Sequence, residues 1–330
     1  MLQVTSLPST EEQTLAIKDL SVHFPSLSGP TRAAIEGLSL GIRPGEIVGL
    51  VGESGAGKTV LARSLLGLPP KPGRITSGSV QFQGKDLVKL PEKELQKLRG
   101  KALSMIVPNP RAELNPLIPV GEQIATVLRV HLDVPRREAL AAACDMLREV
   151  QIPDPIARMN ALPHELSGGM AQRVVIAIAL ICSPKFVVSD DATSGLDVTV
   201  QAQILTLLKR LALESRSSML FITRDIGIAA HFCDRVAVLY QGQIMEIAAR
   251  EDFFLRPGHP TTIMLMTAFS HNQRLRALWA PPRATTGSST TGCVYYGRCP
   301  LAKDICREVR PPLEERAPGH LIRCHFPVQR

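Results

Sequence analysis

Aromatic residues make up only 4% of this sequence, and its longest uninterrupted apolar run is the nine residues from Val174 to Cys182. A membrane-spanning helix needs roughly 18 or more consecutive apolar residues, so no transmembrane segment is expected. The opening stretch, MLQVTSLPSTEEQT, has neither the basic start nor the apolar stretch of a secretory signal, which predicts retention in the cytosol. No internal repeat is visible. Lys and Arg outnumber Asp and Glu by 38 to 30, a formal net charge of +8. Clustered, that excess would favour nucleic acid through counterion release. Here the basic residues are scattered, aromatics are few and no nucleic-acid signature stands out, so nucleic acid is not an expected partner. A weak attraction to anionic lipid surfaces fits the charge better. Seven cysteines in a reducing compartment point to thiols or metal ligands rather than disulfides.

What is present is enough apolar material, 45% of 330 residues, for one sizeable core and an accessory region, with about two domains expected from the length. Strand-like and helix-like segments alternate from about residue 15 to 250, the pattern of an α/β domain with a largely parallel sheet. AIKDLSVHF, EIVGLVG, SVQFQG, ALSMIV, FVVSD, SMLFIT and RVAVLY read as strands. EKELQKLR, VGEQIATVLRVH and RREALAAACDMLREV space their apolar residues at three and four, which predicts a helical insertion over about 91–165. After Pro257 the low-complexity linker RATTGSSTTG leads into a cysteine-bearing tail at 293–324. The expected division is a tail at 1–14, a main domain at 15–255 and an extension at 256–330.

Gly52-Glu53-Ser54-Gly55-Ala56-Gly57-Lys58-Thr59 fits G-x-x-x-x-G-K-[ST], between the strand EIVGLV and the helix TVLARSLLGL that Val60 enters. In that setting the glycines let backbone N–H groups wrap phosphates and the helix N-terminus adds positive potential. Lys58 neutralises charge, and the Thr59 hydroxyl can ligate Mg²⁺. A P-loop site takes its second magnesium contact from an acid at the end of an apolar strand. FVVSDD supplies it, with Asp190 as the expected ligand.

Leu166-Ser167-Gly168-Gly169-Met170 then opens the helix VVIAIALIC, where a hydroxyl and backbone N–H groups at a helix N-terminus make an anion site. With this motif the chain resembles the ATP-binding subunits of ABC transporters, whose signature grips the γ-phosphate bound to the opposite subunit. PHELSGGM, GLDVTVQAQIL, LNP at 114–116, FFLRPGHP and GCVYYGRCPLAKDIC…CHFP narrow the resemblance to the peptide/nickel importer subfamily, over nearly the whole chain. The resemblance implies a P-loop NTPase core of the ABC ATPase type with a helical subdomain and a small cysteine-bearing extension. It implies Phe24 stacked on adenine and Asp197 as the D-loop residue. It also implies a second ABC ATPase subunit, two transmembrane permease subunits and, indirectly, a substrate-binding protein, at the cytoplasmic face of a bacterial inner membrane. Two other readings are a non-transport ABC protein acting on nucleic acid or ribosomes and a regulatory ATP-binding subunit. The long coiled-coil arms or double cassette usual in the first are missing here.

Three positions depart from the subfamily pattern. Pro108 replaces the glutamine of I-F-Q-D-P, and it has no side-chain amide to offer. Asp191 replaces the glutamate of D-E-P-T, a side chain shorter by about 1.5 Å, where about 1 Å of misplacement can cost about 10²-fold. Arg224 replaces the histidine of T-H-D, a donor-only, permanently charged group for one that can also accept. With the P-loop and signature intact, these three predict a degenerate site that binds ATP with hydrolysis weakened, while 166–170 complete the hydrolytic site of a partner in a heterodimer.

Cys293, Cys299, Cys306 and Cys324 follow a C-x₅-C-x₆-C-x₁₇-C spacing. That spacing suits zinc, an iron–sulfur centre or free thiols; the resemblance favours a [4Fe–4S] cluster. Cys144, Cys182 and Cys233 sit in apolar helical settings and read as small core residues.

Overall fold

The computed structural model describes residues 13–26, 31–269 and 291–328. Most of the expected N-terminal tail, and residues 283–290 of the linker, lie outside them. Two sheets carry the fold among the described residues. The smaller is antiparallel, in the order β2 (Arg32–Ile42), β1 (Leu15–Phe24), β4 (Arg74–Phe82) and β5 (Lys85–Asp86). The larger has eight strands. Its parallel half runs β9 (Arg235–Tyr240), β3 (Ile47–Val51), β8 (Ser218–Thr223), β7 (Phe186–Asp190) and β6 (Leu103–Ile106). Beyond β9 the sheet continues antiparallel through β10 (Gln243–Ala249), β12 (His320–Ile322) and β11 (Glu314–Ala317).

The parallel strands are buried on both faces, which is why they read as continuous β-branched runs. Along β3, Ile47 and Val51 join one core while Val48 and Leu50 join the other. β7 and β8 divide the same way, with Val187 and Phe221 on one side and Val188 and Ile222 on the other. The sequence reading misses the short β5, β11 and β12 and two longer strands, β2 and β10, the last two for identifiable reasons. β2 alternates clearly only in its second half, at Leu38, Leu40 and Ile42. β10 carries a carboxylate, Glu246, in its middle.

The helices are α1 (Lys58–Leu65), α2 (Glu92–Leu98), α3 (Pro110–Glu113), α4 (Val120–Leu132), α5 (Arg136–Glu149), α6 (Pro155–Arg158), α7 (Gly168–Leu180), α8 (Val198–Ser215), α9 (Ile226–Phe232), α10 (Arg250–Leu255), α11 (Pro260–Phe269) and α12 (Asp304–Glu308). Within 91–165, β6 belongs to the main sheet, so the purely helical part of that stretch runs from α3 to α6. None of the helices is long and apolar enough to cross a membrane among the described residues.

The extension is joined to the main domain by more than the chain. Glu246, fully buried, accepts from the backbone N–H groups of Gly258 and His259 (both 2.8 Å), from Thr262 Oγ1 (2.5 Å) and from His320 Nε2 (2.7 Å). A buried carboxylate is tolerable only when its lone pairs are met in this way. The hub therefore ties β10, the start of α11 and β12 to one point. Of the three cysteines read as core, Cys233 is buried, its thiol pushed far up by burial, while Cys144 and Cys182 are half-buried.

Candidate active site

The residues picked from the sequence as a phosphate site converge at the carboxyl ends of the parallel strands, where ligands of open α/β sheets bind. β3 runs into the loop at 52–57, β7 ends on Asp190, and Arg224 follows β8 and Pro108 follows β6. A cavity of about 1040 Å³ is lined by Phe24, Ser54, Gly55, Gly57, Lys58, Thr59, Val60, Pro108, Asp190, Asp191 and Arg224. That volume suits a large, charged small molecule. Phe24, half-buried at the end of β1, lies in this wall, where the sequence reading put an adenine contact.

The loop is closed tightly enough to dictate residue type. Gly57 holds φ at +107°, and a Cβ there would stand 2.6 Å from the Ala34 carbonyl oxygen, so only glycine fits. Lys58 Nζ donates to the carbonyls of Gly52 (2.8 Å) and Glu53 (2.9 Å), and the Ala56 N–H also reaches the Glu53 carbonyl (3.2 Å). Burial lowers the Lys58 pKa, an effect opposed by the nearby Asp191 and Asp190. Asp190 is buried, which raises its pKa, while a hydrogen bond with the Thr59 side chain pulls the other way. The hydroxyl and carboxylate are thus already paired beside the phosphate loop, the donor set that suits a hard divalent cation.

Asp191 stands one residue outside the strand in the left-handed region, φ +49°, which Asp tolerates better than most residues. Its Oδ2 accepts from Arg224 Nε at 3.1 Å, and Arg224 Nη2 donates to Ser194 Oγ at 3.1 Å. The two departures at 191 and 224 therefore bond to each other across the ends of β7 and β8. Pro108 lines the same cavity without a side-chain donor or acceptor to contribute.

Residues 166–170 lie outside this cavity's lining. Leu166 is buried, and Ser167 caps α7 by accepting the Met170 N–H at 3.2 Å. Gly169 abuts the start of α8, where Asp197 caps the helix by accepting the Val200 N–H at 2.9 Å. Residues 166–170 and Asp197 thus meet at one helix junction, outside the lining of the phosphate-loop cavity.

Cys293, Cys299, Cys306 and Cys324 all line one small cavity with His259, Tyr295 and Phe326. Burial is the largest influence on three of these thiols, holding Cys299 up to about 12 and Cys324 up to about 11 and raising Cys293. Among the described residues, no three His, Cys, Asp or Glu side chains are drawn together to hold a metal ion. This gives no support to a zinc ion bound by the tail, and the [4Fe–4S] expectation has only the convergence of the four thiols behind it.

Sequence reasoning missed several neighbours of the loop. Val294 and Arg310, both from the extension, line the large cavity, and Glu36 of β2 lies there with them. Arg298 reaches Glu53 itself. Nothing local marks these residues, because their role comes from chain segments far apart in sequence.

A family model described as ABC transporter matches residues 35–194, and one described as oligopeptide/dipeptide transporter, C-terminal region, matches residues 245–306. The oligopeptide transport ATP-binding protein OppD of Escherichia coli is 41% identical across 100% of this chain and 98% of its own length. The dipeptide transport ATP-binding protein DppD of the same organism is 39% identical across 95% of this chain and 97% of its own. Among solved structures, a dimer of the ATP-binding cassette MJ0796 with ADP and Pi, in a post-hydrolysis state, superposes with a TM-score of 0.65 at 26% identity. The match covers 72% of this chain and 98% of that one. With two family models matched in order along the chain and relatives near 40% identity over almost its whole length, this chain belongs to the ATP-binding proteins of oligopeptide and dipeptide ABC transporters.

Proposed function

We propose that the chain is one of two different ATPase subunits of an importer for peptides or related small solutes. It would sit on the cytoplasmic face of a bacterial inner membrane beneath two permease subunits, served by a substrate-binding protein. Gly52 to Val60 would hold ATP, with Phe24 against the base, and Thr59 with Asp190 would hold Mg²⁺, whose charge offsets that of the phosphates.

The observation that carries the finer reading is the Asp191–Arg224 pair. A base for an attacking water needs reach and alignment, and here the shorter carboxylate has one oxygen, Oδ2, turned onto the Arg224 guanidinium. Hydrolysis at this chain's own loop is therefore weakened. Ser167 to Met170, free of such departures, would complete the γ-phosphate site on the partner's loop. In the assembled transporter, Asp191→Asn should then lower ATP turnover only slightly. Ser167→Arg, which puts bulk and a long cation where the partner's γ-phosphate would sit, should reduce turnover by about 10²-fold or more. The reverse pattern, with Asp191→Asn silencing the complex and Ser167→Arg tolerated, overturns the asymmetry.

We also propose that Cys293, Cys299, Cys306 and Cys324 hold an iron–sulfur centre of structural character. An all-thiol donor set around one cavity supports it, and in a polynuclear centre each thiolate bonds a different iron, so no three need share one ion. Iron and acid-labile sulfide in anaerobically purified protein, lost when the four cysteines are replaced, is the expected result. Zinc without iron, or no metal, overturns it.

A further inference from the structure

Arg298 belongs to the extension, one residue before Cys299, yet its guanidinium reaches the phosphate loop. Nη1 donates to Glu53 Oε2 at 2.7 Å, across 245 residues of sequence. The guanidinium carbon stands 5.8 Å from the ring centre of Tyr240 and 6.0 Å from that of Tyr295, and the two rings meet edge-on at 5.1 Å. Tyr295 is itself almost wholly buried. The arginine is thus seated on two aromatic faces, as cation–π geometry favours, and its charge is aimed at one carboxylate. Val294 and Arg310 bring the extension to the cavity wall, where Arg310 pairs with Glu36 at 2.9 Å.

The backbone around Glu53 has a competing tie. Lys58 Nζ holds the carbonyls of Gly52 and Glu53, but a P-loop lysine serves by turning to the β- and γ-phosphates. When it does, both bonds are given up. Arg298 is not in that competition, because Arg298 and the Glu53 carboxylate both lie outside the cavity's lining.

We propose that Arg298 is a positioning residue for nucleotide binding: acting through Glu53, it keeps the phosphate loop in its binding shape while Lys58 serves the phosphates, so that the order of the extension sets ATP affinity. The inference rests on the reading of this loop as the ATP site. Pre-organisation of this kind acts on affinity, because the loop would otherwise be ordered at the expense of binding. A charge-assisted hydrogen bond of this geometry is worth about tenfold in a dissociation constant.

The test titrates the full-length chain with a fluorescent ATP analogue and follows ATP turnover in the assembled transporter. Arg298→Ala and Glu53→Gln should each weaken binding by about tenfold, Arg298→Lys by less, and the double variant by no more than either single change. In the transporter, Arg298→Ala should raise KM for ATP by a larger factor than it lowers kcat. Additive losses in the double variant, or unchanged affinity in Glu53→Gln, overturn the proposal. Should Arg298→Ala fail to fold, Glu53→Gln made with and without Arg298→Lys decides it, since the second change should be silent on the first. Lys58→Ala separates the two levels. If it leaves affinity intact, the ATP-site reading fails; if it weakens binding and Glu53→Gln does not, only the role of Arg298 fails.

Discussion

At the scale of single residues, the sharpest physical statements concern groups whose partners exclude an alternative. Lys58 is buried with its ammonium on two carbonyls and carboxylates nearby, so its removal deletes the cation at the phosphate end and leaves those carbonyls able to meet water. Lys58→Ala should weaken nucleotide binding by about tenfold or more, read by calorimetric titration, with the unfolding midpoint changed little. His259 is a different case. Its Nδ1 accepts the Thr261 N–H at 2.9 Å and the ring also bonds the Arg323 backbone, so both nitrogens are committed in the neutral tautomer. Burial holds its pKa at about 4, below the ordinary 6.5. The unfolded chain therefore binds this proton more readily than the folded one. Stability is fully present above pH 6.5, declines as pH falls, and stops declining below about 4. Near pH 5 the loss is about 2 kcal/mol. Denaturant midpoints at pH 7 and pH 5 should show that loss in the parent chain, and His259→Gln, which has no proton to take up, should show less of it.

Elements explain what was legible in the sequence and what was not. The phosphate loop, the FVVSD strand and the signature helix could be read directly, because each is specified by a few adjacent residues and a change of period at a known point. β2 and β10 could not. The bulge-prone first half of β2 and the carboxylate within β10 break the pattern that marks a strand, and partners outside each strand supply the compensation: the neighbouring β1 for the first, the groups gathered on Glu246 from as far as His320 for the second. The junction of α7 and α8 lies between these cases. Both caps, Ser167 and Asp197, are visible as sequence signals, but the contact between the helices is not. A Cβ on Gly169 would stand 2.8 Å from Val200 Cγ1, so Gly169→Ala should shift the signature against α8 and destabilise by about 1–2 kcal/mol. Val200→Ala in the same chain removes the opposing methyl and should recover part of that loss in thermal melts. If the double variant is as unstable as the sum of its parts, the junction is not packed as described.

For the whole molecule, the question is whether the three departures form one unit. They come from three strand ends, β6, β7 and β8, and face one cavity. Restoring them singly should accomplish little. Asp191→Glu alone leaves a carboxylate within reach of the Arg224 guanidinium, which already holds Asp191 and Ser194. Arg224→His alone frees the aspartate but leaves it about 1.5 Å short. Pro108→Gln alone returns an amide but leaves Asp191 bonded to Arg224. The experiment can be carried by this chain without altering its partner. On the proposed reading Ser167→Arg silences the partner's site, so any turnover left in the transporter would come from this chain's own phosphate loop. On that background the three singles should stay near the floor, while Pro108→Gln, Asp191→Glu and Arg224→His together should raise ATP turnover by about tenfold or more, the scale on which catalytic groups respond to reach and alignment. A Ser167→Arg transporter that already turns over ATP at the parental rate would show instead that Asp191 works as it stands, with Arg224 beside it.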